Sequence, residues 1–339
     1  MIAAVPGTTT ENCQHPRRGI MTATKRSTPK VSVVVPVRNE APKIARCLQA
    51  LLNQTLQPYE VIVVDGHSAD STVEVARKFP VTVTYEDYGT VGGARQVGVE
   101  HAQGDYVAFT DADCIPRENW LENLICEFDD GVVGVGGGIK NVGKGLWEES
   151  IALALDTFLG SANSVQDRVL RERRIVKSIS GCNSIYRKKD IVAVGGVDVH
   201  LSINEDTEMN SRLQQLGTLL YTPDAIVHHH QERGLGDFVR RMHFFGYGRG
   251  VNQLWDLQVV PPVAAVGILL TAFVAPLTFF ALLLTYVTII SGYTLLLLFK
   301  ARKSEYLISI PIVFILEHAS YTFGFWKGTI EAISRRMPR

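Results

Sequence analysis

Two aspartates, Asp111 and Asp113, follow directly on the short apolar run Tyr106–Thr110. If that run is a strand, alternation along the chain lets one carboxylate meet a bound ligand while the other reaches a hard cation, so Mg2+ or Mn2+ is implied. Taken alone, a D-x-D string is more often a pair of solvated loop acids, and its surroundings must decide. Asn204-Glu205-Asp206-Thr207-Glu208 gathers three acids where a helix begins, a place that the helix dipole favours for negative charge. His228-His229-His230 ends the last short β-type run of the polar part. Adjacent strand residues point to opposite faces, so the three cannot serve one site together. Arg95, Arg241 and Arg249 could hold diphosphate oxygens by charge-assisted hydrogen bonds. The last two suit lipid headgroups equally well.

These groups need elements to position them. From Val31 to about Pro116, β-branched runs alternate with helical segments, which indicates βαβ units and a parallel sheet. Strands are expected at Val31–Val37, Glu60–Asp65, Val81–Tyr85 and Tyr106–Thr110, and helices at about Ala41–Asn53, Ser71–Lys78 and Gly92–Ala102. Polar residues cluster where the strands end, the edge at which open parallel sheets bind ligands. The later order is less regular: a Gly-rich strand at Val132–Ile139, a helix from Trp147 to about Leu159, a basic segment Arg168–Lys177, a helix Glu205–Leu216, and strands near Leu219–Tyr221 and Ala225–His229. Gly134-Val135-Gly136-Gly137-Gly138 lacks the Lys-Ser/Thr of a P-loop and reads as structural.

Composition narrows the class. Lys plus Arg equal Asp plus Glu at 34 each among 339 residues, so no basic surface for nucleic acid is implied. Five cysteines without a C-x-x-C pair signal neither a disulfide framework nor structural zinc, and a reducing compartment fits. Residues 1–30, rich in Thr, Pro and basic side chains and without an apolar h-region, read as a disordered segment. Charges vanish from Leu257 to Phe299, roughly twice the ~20 residues of one spanning helix. That stretch is expected to be a membrane hairpin, with a further apolar run at Leu307–Trp326 as a possible third span. Glu317 and His318 within that run should face protein or headgroups. Arginines and aromatics at 236–256 suit the bilayer interface, and residues 327–339 form a basic tail.

Four motifs in order, Val31-Ser-Val-Val-Val-Pro-Val-Arg-Asn-Glu40, Val63-Val-Asp-Gly-His-Ser-Ala-Asp-Ser-Thr72, Gly92-Gly-Ala-Arg-Gln-Val-Gly98 and Thr110-Asp-Ala-Asp113, resemble family 2 glycosyltransferases. The resemblance implies a GT-A fold over residues 31–235: a mostly parallel α/β sheet with helices on both faces, followed by C-terminal transmembrane helices at 257–326. It also implies that Pro36, Val37, Asn39 and Glu40 border a nucleotide, that Asp65 meets its base, with Arg95 and Asp111 also on the donor side, and that Asp113 binds the metal. Gly66 stands where the family often has a second Asp. Glu205-Asp206 resembles the family's E-D motif, which makes Asp206 the expected general base. His229 is the expected second metal ligand, and Gly181 and Asn183 are expected beside Glu205 on the acceptor side.

The expected activity is transfer, with inversion, from a nucleotide-sugar donor to a lipid-linked or glycan acceptor, by a cell-membrane protein whose catalytic domain is cytoplasmic. A polyprenyl phosphate acceptor would need no base, which Glu205-Asp206 argues against. The intact acids argue against an inactive membrane scaffold.

Overall fold

The computed structural model describes residues 28–161, 168–230, 234–255 and 257–336. Most of the N-terminal segment and the end of the basic tail lie outside them.

Four strands, β1 (Val31–Val37), β2 (Glu60–Asp65), β3 (Thr82–Tyr85) and β4 (Tyr106–Phe109), pair in parallel in the order β3-β2-β1-β4. Their β-branched runs follow from burial of the sheet on both faces. Helix α1 (Ala41–Leu52) covers one face with Ile44, Cys47, Leu48 and Leu51. After α2 (Thr72–Ala76), helix α3 (Val91–His101) covers the other, packing Ala94 and Val99 with Val34, Ile62 and Val64. The contact is close enough that a Cβ on Gly98 would overlap Val34.

The second half makes the sheet mixed. It comprises β5 (Cys114–Pro116), α4 (Trp120–Ile125), β6 (Val132–Val142), α5 (Leu146–Leu155), α6 (Phe158–Ser161), β7 (Arg174–Val176), β8 (Ser184–Arg187), α7 (Lys188–Ala193), α8 (Glu205–Leu213) and β9 (Thr218–His230). β8 runs antiparallel between β4 and β6, β6 is parallel to β9, and β5 and β7 pair antiparallel with β9, giving nine strands among the described residues.

Two expectations change here. The strands near Leu219–Tyr221 and Ala225–His229 are one strand, because Pro223-Asp224-Ala225 forms a bulge between the pairs Gly137–Thr222 and Gly138–Ile226. Turn-type residues can sit in a bulge without ending the ladder. The helix expected over Trp147–Leu159 is two, since the Thr157 hydroxyl donates to Ala154 O (2.6 Å) and accepts from Gly160 N (3.0 Å), so the chain stops and restarts.

The C-terminal part comprises α9 (Leu235–Val251), α10 (Val260–Val274), α11 (Pro276–Ala301) and α12 (Tyr306–Arg336). Three segments, Leu257–Val274, Pro276–Ala301 and Tyr306–Ser334, are long and apolar enough to cross a membrane. The expected hairpin is α10 and α11, joined at Ala275. Glu317 is buried, and His318 bonds Leu159 O (3.1 Å) and Tyr286 Oη (3.0 Å), so both face protein.

The stretch expected at the bilayer interface, 236–256, is largely α9, and α9 and α12 meet backbone to backbone. Gly246 and Gly250 face the carbonyls of Tyr321 and Phe325, while Gly324 and Gly328 face those of His243 and Tyr247, so that a Cβ at any of the four would overlap main chain. Small residues four apart on both helices permit this approach. Gly250→Leu should therefore cost about 1–3 kcal/mol or more and lower the thermal midpoint in detergent. Gly267→Leu, where nothing lies within 4 Å, should leave it unchanged. Equal midpoints for the two variants would contradict the seam.

Candidate functional site

A cleft of about 310 Å³ opens at the C-terminal edge of the parallel strands and is lined by Pro36, Val37, Glu40, Gly66, Glu86, Asp111 and Asp113, among others. Pro36 and Val37 end β1, and the chain turns at Asn39 in a left-handed conformation (φ 56°). This turn is tied to the loop after β2: Asn39 N donates to Ser68 Oγ (2.8 Å), and Asn39 Oδ1 accepts from Ala69 N (2.7 Å). Asp65, buried at the end of β2, accepts from both Ser68 N (2.9 Å) and Ser68 Oγ (2.5 Å). Asn39 and Asp65 thus brace the loops beside the cleft and are not themselves among the residues lining it.

Glu86 lines the cleft without any motif to announce it. It is buried and accepts from Tyr88 N (2.8 Å) and Gly89 N (2.9 Å). A Cβ on Gly66 would come within 3.1 Å of Glu86 Oε1, so this carboxylate occupies the space beside the position where the family often has its second Asp.

At the far end of the cleft, Asp113 Oδ2 and His229 Nε2 are 3.4 Å apart, both buried, because β5 pairs with β9 and sets Cys114 opposite His229. Asp113, Cys114 and His229 could converge on one ion. The carboxylate suits a hard cation, whereas the imidazole is a borderline donor better matched to a transition-metal ion than to Mg2+. The Cys114 thiol is a soft donor that hard cations do not select, and its hydrogen bond with Cys182 and then burial hold it well above the ordinary thiol range. His228 is held below the usual histidine range by burial and by Arg117 and Lys140.

Arg95 connects this end to α8. The Thr90 hydroxyl fixes the start of α3 by accepting from Gly93 N (2.9 Å) and donating to Val199 O (2.5 Å). One turn further on, the buried Arg95 guanidinium bonds Glu205 through Nη1 and Asp111 through Nη2 (3.2 Å). Partial burial raises Asp111 above the ordinary carboxylate range, against the pull of Arg95 and with the help of the Asp113 charge. Burial pushes Glu205 up to about 7, with Arg95 opposing and Asp206 adding to it. Asp206 is fixed by Gly181 N to Oδ2 (2.9 Å) and by Thr207 N to Oδ1 (2.6 Å). Gly181 has to be glycine, since a Cβ there would overlap the Arg95 guanidinium.

Several expected residues stand elsewhere. Arg95, expected at diphosphate oxygens, is committed to two carboxylates, and Glu205 is buried against it. Asn183 does not face a cleft: it is fully buried, accepts from Trp120 Nε1 (2.7 Å), and donates to Gly138 O (2.9 Å) and Ala225 O (3.0 Å). Arg241, stacked on Phe245, and the buried Arg249 lie on α9 and are not among the residues lining the cleft.

The cleft lies at the strand ends, where open α/β sheets bind ligands, and Asp111 and Asp113 are among the residues lining it. Residues 32–195 match Glycosyl transferase family 2. Glycosyltransferase AglE of Haloferax volcanii is 30% identical over 241 residues, 68% of this chain and 75% of that protein. A Methanococcus voltae protein, dolichyl N-acetyl-alpha-D-glucosaminyl phosphate 3-beta-D-2,3-diacetamido-2,3-dideoxy-beta-D-glucuronosyltransferase, is 25% identical over 329 residues, 90% and 98% of the two chains. The solved structure of mannosyltransferase PcManGT from Pyrobaculum calidifontis with GDP-Man and Mn2+ shares the fold, with a TM-score of 0.58 at 19% identity over 92% and 89% of the two chains. The chain belongs to glycosyl transferase family 2.

Asn183→Ala would remove three buried hydrogen bonds and leave the Trp120 indole N–H without its acceptor, at about 1–3 kcal/mol for that group. The expected result is a lower thermal midpoint with an unchanged acceptor KM in the protein that remains folded. An unchanged midpoint with a raised KM would return Asn183 to the acceptor side.

Proposed function

We propose that this glycosyltransferase is metal-dependent and inverting, and moves sugar from a nucleotide-sugar donor to a hydroxyl of a lipid-linked saccharide or similar acceptor. Pro36, Val37 and Glu40 border the nucleotide, on a wall held by Asn39 and Asp65. Asp113 and His229 hold Mg2+ or Mn2+. Charge compensation for the departing diphosphate is what a cation held there supplies. Asp206 takes the acceptor proton as the hydroxyl attacks, a role able to supply roughly 10²–10⁴-fold in rate. Both of its oxygens are anchored by backbone N–H groups, so the base is oriented before the acceptor arrives.

The observation that carries this reading is the single guanidinium of Arg95, which bonds Asp111 on the donor side and Glu205 beside the base. It brings the two acidic motifs to one site, where a base and a leaving diphosphate can act on one sugar. A polyprenyl phosphate acceptor would make the base unnecessary. Support for a lipid-linked acceptor comes from the Methanococcus voltae relative, whose name describes addition to a sugar already carried on dolichyl phosphate. Arg240, Arg241 and Arg249 before the hairpin and Lys300, Arg302 and Lys303 after it support a cytoplasmic catalytic domain by the positive-inside rule.

Asp113→Ala is expected to abolish transfer and to weaken divalent-metal-dependent nucleotide binding, measured by titration of the purified protein with nucleotide sugars. Retained activity would remove the metal assignment. Asp206→Asn should leave donor binding nearly intact while lowering kcat by about 10²-fold or more. An unchanged rate would favour the phosphate acceptor.

A further inference from the structure

Length and composition allow α12 to cross the bilayer, and His318 meets Tyr286 of α11 (3.0 Å), but α12 is also tied along its whole length to elements of the catalytic domain. Near its start, Tyr306 Oη donates to Glu149 and Ser309 Oγ meets Ser150 Oγ (2.7 Å), both on α5. At its middle, His318 bonds Leu159 O (3.1 Å) on α6. Near its end, Tyr247 Oη on α9 donates to Glu331 Oε2 (2.6 Å). From Tyr306 to Glu331 is about 37 Å of helix at ~1.5 Å per residue, more than the ~30 Å hydrocarbon core.

Both anchoring elements stay with the catalytic domain. α5 begins four residues after β6 ends. α9 begins five residues after β9 ends, and its other half is seated on the loop before α8: Asn204 Nδ2 lies 3.5 Å from Phe245 O, and a Cβ on Gly248 would press on Asn204 and Ile203. A crossing α12 would carry its α9 seam to the far leaflet and draw the exposed Asp237 and Arg240 through hydrocarbon, which is costly for charges without protein cover.

We propose that α12 lies in the plane of the leaflet facing the catalytic domain and does not cross the membrane. Its packed face carries Tyr306, Ile310, Val313, Phe314, Gly324 and Phe325. The opposite face exposes Ile308, Ile315, Phe323 and Ile330. At 100° per residue these four fall within about one quarter of the helix circumference, a stripe suited to acyl chains. Arg302 before it and Lys327 along its edge are exposed, as expected beside anionic headgroups, while Lys303 is paired with Glu149 (2.7 Å). High hydropathy arises because one apolar face meets protein and the other meets lipid. On the function proposed above, this floor has a consequence: Asn204, next to Glu205 and Asp206, rests on α9, so the acceptor hydroxyl is met close to the headgroup plane.

The test reads topology and is independent of glycosyl transfer. Ser304→Cys and Ser334→Cys, introduced singly into the full chain in sealed vesicles, are labelled with a membrane-impermeant maleimide against the unsubstituted protein. In-plane α12 gives labelling of both from the same side. Nitroxides on Ile308→Cys, Ile315→Cys, Phe323→Cys and Ile330→Cys should report one shallow depth by oxygen against nickel-complex accessibility, with Phe273→Cys on the hairpin deeper. Labelling from opposite sides, or a depth that deepens to mid-helix and then falls, overturns the proposal. So does water exposure of all four positions.

Discussion

The site depends on one buried cation. Arg95 cannot shed its charge, and its guanidinium is almost wholly out of water, so it must be matched by carboxylates with direct hydrogen bonds. Glu205 on α8 and Asp111 after β4 provide them. Removing one partner of such a buried pair costs about 3–5 kcal/mol, which makes the separation of the two acidic motifs a property of the core rather than of mobile loops. The Thr90 cap and Gly181 belong to the same constraint: the first fixes the helix that carries Arg95, and the second leaves room for its head.

Glycine does comparable work elsewhere through close backbone approach. In β6, a Cβ on Gly137 would overlap Ala225 O, and the space it leaves is filled by the Asn183 amide, which knits β6, β9 and α4 together. In the C-terminal part, four glycines bring α9 and α12 into main-chain contact. The first fixes the strand that carries His229, and the second fixes the platform under Asn204. Donor end and membrane end are thus both set by backbone geometry that no larger residue permits.

The sequence by itself determined the parts that depend on local pattern. Short apolar runs marked β1, β2 and β4, the last two leading into acids, four ordered motifs marked the family, and the loss of charge after Asp256 marked the hairpin. These signals are local because burial on both faces, turn chemistry and hydropathy each act within a few residues of one another. Only the tertiary structure decided what long-range pairing controls. Arg95 looked like a phosphate ligand until α3 and α8 met around it, Asn183 looked like a cleft residue until β6 and β9 enclosed it, and Glu86 had no motif because its partners are backbone N–H groups of its own turn. The glycines of α9 and α12 were equally silent, since the space a side chain would fill is defined by a helix about 80 residues away. Residue types carry chemistry locally, whereas burial and the partners that spend a charge are set by packing between distant segments.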